Sequence, residues 1–249
     1  MGQRLGQHFL FRESILERIA AAAAPEGTGV VVEIGPGKGA LTAHLLERAE
    51  RVIAIEIDHV LIQYLTAKFR GEPRLELVEG DVLKVELAQY GPEAVAGNLP
   101  YYITSPIIEK VLGMRRPVRC AVFLVQKEVA ERLTASPGAR DYGYLSVATQ
   151  FLAKAELLFT VAPGSFKPPP KVDSAVVRLT PRSPATAGDS AAFLRFVGLC
   201  FRHKRKTLRN NLGGVFPPEV VAALPEAGMR AEQLSLEMFV DLYGRLVNS

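Results

Sequence analysis

The chain reads as an α/β protein, a mostly parallel sheet wrapped by helices, followed by a small all-helical domain. Three observations point there. Short β-branched runs alternate with helically spaced segments over the first half of the sequence, the first run stops at the glycine turn Gly35-Pro36-Gly37-Lys38-Gly39, and the pattern changes after Pro181-Arg182-Ser183-Pro184-Ala185-Thr186-Ala187-Gly188.

Taken in order, residues 30–34 form a strand, 40–48 a helix, 52–55 a strand, 58–69 a helix and 75–78 a strand ending at Gly80-Asp81. Residues 94–97 form a strand before an Asn-Pro turn, 105–112 a helix, and 120–125 another buried strand. The strand-like segments 155–161 and 174–179 flank a proline-rich loop with no helix for a right-handed crossover, so they predict an antiparallel hairpin at one edge of a seven-stranded sheet. Beyond a linker at 182–188, residues 193–201, 218–224 and 237–247 are helical. The expected domains are therefore 1–181 and 189–249.

With 249 residues, 48% of them hydrophobic and 22% charged, the chain can bury one large core and a smaller second one. A net charge of +4 permits an anionic partner without requiring one. Cys120 and Cys200 stand far apart in apolar stretches without metal-ligand spacing, which suits core residues in a reducing compartment. No apolar run is long enough for a bilayer, the N-terminus lacks the order of a secretory signal, and Gly6 stands where a myristoylation motif needs Ser or Thr. The expectation is a soluble cytoplasmic protein.

In open α/β sheets ligands bind beyond the carboxyl ends of the strands where strand order reverses, and Gly35, Gly37 and Gly39 fall there. Glu56, about 20 positions on and at the end of the second strand, suits a carboxylate binding ribose hydroxyls. Asp81, at the end of the third, suits an adenine amino group and equally the N-cap of a short helix. Three polar groups at successive strand ends predict an adenosine-bearing cofactor, S-adenosylmethionine first and NAD second, since the glycine spacing is GxGxG and not GxGxxG. His44 and His59 lie on predicted helices, away from the place of a hydride-transfer acid, and the scattered histidines make no metal site.

Gly97-Asn98-Leu99-Pro100-Tyr101-Tyr102 follows the fourth strand. It reads either as a proline turn with two rim tyrosines or as a grip on the exocyclic amine of a flat base. In the second reading the Asn98 side-chain oxygen and a main-chain carbonyl near Leu99 or Pro100 accept the two N–H bonds, and Tyr101 stacks on the ring. None of these groups transfers a proton, so catalysis rests on positioning.

With these residues in place, the chain resembles the small-subunit (16S) ribosomal RNA adenine dimethyltransferases, the KsgA family, along nearly its whole length. The shared motifs are Leu5-Gly6-Gln7-His8-Phe9-Leu10, Glu33-Ile34-Gly35-Pro36-Gly37, Ile55-Glu56-Ile57-Asp58, Gly80-Asp81 and Asn98-Leu99-Pro100-Tyr101. Further on come Gln126-Lys127-Glu128-Val129-Ala130, Tyr142-Gly143-Tyr144-Leu145-Ser146, the run Phe166-Lys167-Pro168-Pro169-Pro170-Lys171-Val172-Asp173-Ser174 and the tail Phe201-Arg202-His203-Lys204-Arg205-Lys206-Thr207-Leu208.

The resemblance implies a Rossmann-like class I methyltransferase fold and transfer of two methyls to each N6 amine of two adjacent adenosines in a hairpin loop near the 3′ end of small-subunit rRNA. It implies that His8, Leu10, Gly35, Glu56, Asp81 and Asn98 line the cofactor pocket, with Gly37, Ile57 and Val82 beside them. Position 8 is Asn in many relatives. A flipped adenosine needs stacking partners, and by the same resemblance Phe166 is expected to face Tyr101, its other reading being a hydrophobic plug under the proline-rich loop. Lys167, Lys171, Arg202, Lys204, Arg205, Lys206 and Arg209 are the expected phosphate contacts, the other reading being a solvated charged face. The expected partner is an immature small ribosomal subunit, met by a monomer. Two rivals stay open: a large-subunit (23S) rRNA adenine methyltransferase of the macrolide-resistance type, and an assembly factor acting without catalysis.

Overall fold

The computed structural model describes residues 8–182 and 190–247, so Leu5, Gly6 and Gln7 of the first motif and linker positions 183–188 lie outside the described residues. The chain opens with β1 (Phe9–Leu10) and α1 (Glu13–Ala23), and continues with β2 (Thr28–Ile34), α2 (Ala40–Leu46), β3 (Ala49–Glu56), α3 (His59–Lys68), β4 (Leu75–Glu79), β5 (Ala94–Asn98), α4 (Thr104–Leu112) and β6 (Cys120–Gln126). Next come α5 (Lys127–Thr134), α6 (Tyr144–Leu152), β7 (Ala153–Val161), β8 (Phe166–Lys167) and β9 (Ser174–Pro181). The tail holds α7 (Ser190–Cys200), α8 (Leu208–Leu212), α9 (Pro218–Ala222) and α10 (Leu236–Val247).

Seven strands make one sheet in the order β4-β3-β2-β5-β6-β9-β7. The pairs among β2 to β6 are parallel, whereas β9 runs antiparallel to both β6 and β7. The expected edge hairpin is present. Successive crossovers place β3 and then β4 on one side of β2, and β5 on the other, so strand order reverses between β2 and β5. The register Ile34↔Ile55 and Ile34↔Gly97 brings the carboxyl ends of three strands level. At Gly97 a Cβ would lie 2.5 Å from the Ile34 carbonyl oxygen, so no side chain fits where these two strands approach.

Several elements carry no expectation from the sequence: α1, α5, α6 and the small β1–β8 ladder. Helix α1 turns Leu16, Ile19, Ala20 and Ala23 inward, and the Arg12 carbonyl accepts from the Ile15 and Leu16 amides at its start. Its spacing is amphipathic, with Leu16, Ile19, Ala20 and Ala23 buried and Glu13, Glu17 and Arg18 exposed, so this helix is legible in the sequence.

The chain divides into two units, Met1–Ala130 with Ala153–Pro181, and Glu131–Leu152 with Arg182–Ser249. The expected boundary at 181 coincides with the change of unit, but the expected extent 1–181 needs a correction, since Glu131–Leu152 leaves the first domain. The reason is apolar packing: Tyr142, Val147 and Phe151 are buried in one cluster with Phe193, Phe196, Leu208, Leu212, Phe239 and Leu242. Helical spacing shows that α6 has an apolar face, but not which core that face enters.

Candidate active site

A cavity of about 700 Å3 opens at the carboxyl ends of β2, β3 and β5. It gathers every expected cofactor residue, His8, Leu10, Gly35, Gly37, Glu56, Ile57, Asp81, Val82 and Asn98, together with Leu99, Pro100 and Tyr101. Glu33 and Tyr102 also line it. Glu33 was legible only as part of a motif, and its own signal, an acid inside an apolar strand, is seen once its burial is known.

The glycine turn shapes the floor. Gly37 has φ +57°, and a Cβ there would meet the Phe9 ring at 2.9 Å, so the bare backbone packs under the N-terminal strand. The Gly37 amide donates to Glu56 Oε2 at 3.2 Å, while Glu56 Oε1 accepts from the Ile57 and Asp58 amides at 2.9 and 3.1 Å. Burial raises the Glu56 pKa, opposed by these three main-chain donors. A carboxylate oxygen accepts about two bonds, so Oε2 retains capacity for a hydroxyl. The Lys68 ammonium donates to the Lys38 and Gly39 carbonyls at 2.8 and 3.0 Å and fixes the turn from behind.

Glu33 is 1% exposed, and its Oε2 accepts from the Thr42 hydroxyl at 2.5 Å. Burial pushes its pKa up to about 7; the Thr42 hydrogen bond pulls the other way and the Glu56 charge adds to the rise. Such a carboxyl is poised to ionise when a cation enters the cavity. Asp81 Oδ1 accepts from the Leu83 amide at 3.0 Å across the turn after β4, where no short helix forms for it to cap, and the side chain lines the cavity. Glycine turn, ribose-length acid, Asp81 and ionisable floor together fit S-adenosylmethionine, a cation that carries adenosine.

The Asn98 turn stands at the reversal point. Its side-chain amide donates to the His8 carbonyl at 2.9 Å, which assigns the nitrogen to that side and leaves Oδ1 as the other end. The Pro100 carbonyl already accepts from the Ile103 amide at 3.2 Å and the Thr104 hydroxyl at 3.1 Å, as the chain winds into α4. Leu99 is pinned by its amide, which donates to the Leu124 carbonyl at 3.0 Å. Tyr101 is anchored through its hydroxyl, 3.2 Å from Ser174 Oγ.

Phe166 requires a correction. It is 3% exposed, pairs in register with Leu10 and belongs to the core cluster of Leu10, Leu16 and Ile19, so the plug reading is the correct one. Instead, the ring near Tyr101 is His8, at a centroid distance of 5.9 Å and an interplanar angle of 28°. Its Nδ1 lies 2.8 Å from the Pro168 carbonyl, so the imidazole ties the proline loop to the aromatic turn. Lys167 and Lys171 are exposed, and Lys167 pairs in register with the cavity residue Phe9.

In the second unit, Arg202, Lys204, Arg205, Lys206 and Arg209 are all exposed on and beside the loop between α7 and α8. A buried residue holds that loop. Asn211, 3% exposed, donates from Nδ2 to the Cys200 carbonyl at 2.8 Å and the His203 carbonyl at 3.3 Å, and accepts the His203 amide at Oδ1 at 3.1 Å. Sequence reading missed it, because an Asn within Arg-Asn-Asn-Leu looks like ordinary surface polarity.

Among the described residues no helix is long and apolar enough to cross a membrane, and no group of His, Cys, Asp and Glu side chains could hold a metal ion. The sequence pattern described as ribosomal RNA adenine dimethylase matches residues 2–247. The chain is 44% identical to the ribosomal RNA small subunit methyltransferase A of Acidobacterium capsulatum over 98% of this chain and 90% of that protein. It is 46% identical to the protein of the same name from Gloeobacter violaceus, over 99% and 94% respectively. Among solved structures it is similar to a dimethyladenosine transferase from Plasmodium falciparum, with a TM-score of 0.83 and 31% identity over 94% of this chain and 96% of that one. The 23S rRNA methyltransferase ErmE gives a TM-score of 0.76 and 32% identity, over 96% and 99%. With a Rossmann-like methyltransferase sheet, a cavity where its strand order reverses and a family pattern spanning nearly its full length, the chain belongs to the ribosomal RNA adenine dimethylase family.

Proposed function

We propose that this chain dimethylates the N6 amines of two adjacent adenosines near the 3′ end of small-subunit rRNA, using S-adenosylmethionine, and that it acts as a cytoplasmic monomer on immature small subunits. The observation that carries the reading is the Asn98 turn, whose amide is oriented by the His8 carbonyl and which borders the same cavity as Glu56 and Asp81. Curated relatives at 44% and 46% identity bear the small-subunit name, which favours this rRNA over the large-subunit one.

The N6 lone pair of adenine is delocalised into the ring, so the nitrogen needs steering more than deprotonation. S-adenosylmethionine supplies a methyl already made electrophilic by its sulfonium. Asn98 Oδ1 accepts one N6–H. The Pro100 carbonyl is filled twice, so the Leu99 carbonyl is the acceptor for the other. Two acceptors on one side favour a more tetrahedral nitrogen with its lone pair turned to the donor. The proton leaves to water afterwards, and no side chain need act as base.

The flipped base stacks on Tyr101, and His8 takes the place first given to Phe166 as the opposite wall. Two aromatic contact layers span about 7 Å, against the 5.9 Å between the rings in the free protein. A small outward swing of the imidazole on its Pro168 tether admits the base.

Mass spectrometry of unmethylated small-subunit rRNA, both naked and within immature small subunits, and of large-subunit rRNA, each incubated with the protein and labelled donor, tests the assignment. Two dimethylated adjacent adenosines in the small-subunit RNA are expected. Label confined to large-subunit RNA would transfer the chain to the macrolide-resistance type, and no label in naked RNA or immature subunits would leave only a non-catalytic assembly role.

A further inference from the structure

The turn that carries Tyr101 carries a second ring with no structural task. Tyr102 lines the same cavity and is 65% exposed. Among the described residues that line it, the other exposed large hydrophobic side chain is Ile57. The two follow different strands. Ile57 stands beside Glu56 at the end of β3, where the ribose acid locates the donor, whereas Tyr102 follows β5 and Asn98. Strand β2 lies between them, so those strand ends are about 10 Å apart. The donor accounts for Ile57 and leaves Tyr102 unused.

Tyr101–Ile103 is a single turn of 3-10 helix, in which successive residues project about 120° apart. The Tyr101 hydroxyl is 3.2 Å from Ser174 Oγ in β9, so that ring is tied to the wall and the next one is turned away from it. Buried Leu99 and Thr104 flank the turn, and the Pro100 carbonyl accepts the Ile103 amide within it. The second ring therefore stands on a fixed base at the cavity mouth.

When one adenine enters the cavity it leaves its neighbour in the strand with a bare face. An aromatic side chain restores the lost stack, and tyrosine does so with only two side-chain torsions to fix. Because the two target adenosines are adjacent, one neighbour of the base in the cavity is always the other adenine.

We propose that Tyr102 is a second stacking surface at the cavity mouth, covering the adenine next to the one held against Tyr101. The proposal rests on the rRNA dimethyltransferase reading for its ligand. The ring adds affinity and register for a pair of bases, and no step of methyl transfer passes through it.

The test measures the Kd of full-length protein for unmethylated immature small subunits, with S-adenosylhomocysteine in place of the donor so that no methyl is transferred. Their rRNA, ligated from a transcript and a synthetic 3′ segment, carries both adenosines or an abasic sugar at each of the two in turn. Tyr102→Ala should raise Kd for the intact RNA about tenfold, the loss of one aromatic–base stack. On at least one abasic RNA it should change Kd less than about twofold, because the ring has no base left to cover. Tyr102→Phe should bind as wild type does, and Tyr102→Leu, which keeps apolar bulk without a ring, should recover little. Thermal melting and calorimetry with S-adenosylhomocysteine check that each variant is folded with its cavity intact, and Tyr102→Leu serves if Tyr102→Ala is not. A wild-type Kd in folded Tyr102→Ala would overturn the stack, as would an equal loss on the intact and both abasic RNAs. Methyl transfer by the wild type is read on the intact RNA with the donor present. Coupling without transfer would refute the methyltransferase reading and support the stack, whereas transfer without coupling would overturn the stack alone.

Discussion

The Asn98 turn and the Arg202–Arg209 loop make opposite uses of burial. At the turn the functional groups are neutral, partly enclosed and fixed by main-chain partners, His8, Leu124 and the first turn of α4. In the loop the functional groups are charged and exposed, and what is buried is the bracket beneath them, Asn211. In the proposed function, orientation is the working property of the first region and net charge of the second. The proposed function therefore predicts that small displacements disable the turn, whereas the loop tolerates changes that keep its cations and its frame.

The sharpest way to break that contrast is Asn98→Ala. Removing one preorganised acceptor from a charge-developing centre costs about 10²–10³-fold in rate. Single-turnover methylation should fall by that factor, while RNA Kd stays within about twofold. Equal losses in both would mean that the turn binds RNA and does not position the amine.

A second test separates the two aromatics. Phe166→Ala empties a fully packed site and should destabilise the first unit by about 3–5 kcal/mol, read by denaturant unfolding, whereas Phe166→Leu should recover most of that stability and methylate near normally. His8→Ala should leave unfolding almost unchanged and weaken capture of the flipped base by about 1–3 kcal/mol, read as a raised KM for RNA. Should His8→Ala methylate normally while folded Phe166→Leu fails, Phe166 would regain the role that the structure denies it.

This pair also shows what a sequence discloses. Gly35, Glu56, Asp81 and Asn98 were legible because each sits at the end of a strand with a distinct apolar signature, and parallel topology makes strand ends converge. Phe166 was misplaced because a motif gives residue identity but not which side of a two-residue ladder faces the core. His8 as the facing ring depends on a contact across 93 positions, between residues 8 and 101, that no local pattern encodes. Asn211 escaped because its partners, the Cys200 and His203 main chain, follow no helical spacing, and the lack of a long-range signal left Glu131–Leu152 in the wrong core.

Asn211→Ala acts on the other region. It strips partners from the Cys200 and His203 carbonyls and should cost about 1–3 kcal/mol of stability in the second unit. RNA affinity should fall with it, and its salt slope should flatten, because the cations lose their common frame. Binding of S-adenosylmethionine, measured by calorimetry, should not change. A loss of RNA affinity with an unchanged salt slope would show that the loop keeps its shape without its bracket.

The smallest expected effect concerns Glu33, which lines the same cavity as the Asn98 turn. Its folded pKa of about 7 lies above the ordinary 4.5, so the folded chain holds a proton that the unfolded chain releases. Stability from this group is therefore greatest at low pH and declines as pH rises from about 4.5 through 7, levelling off above. The cationic methyl donor reverses the preference, since it attracts the ionised carboxylate. Its binding should release a proton near pH 6 and tighten a few-fold as pH passes 7. Glu33→Gln should flatten both curves: the unfolding midpoint against pH, and the donor Kd against pH. If the donor binds Glu33→Gln as tightly as wild type, with the same proton release, the carboxylate does not sense the ligand's charge.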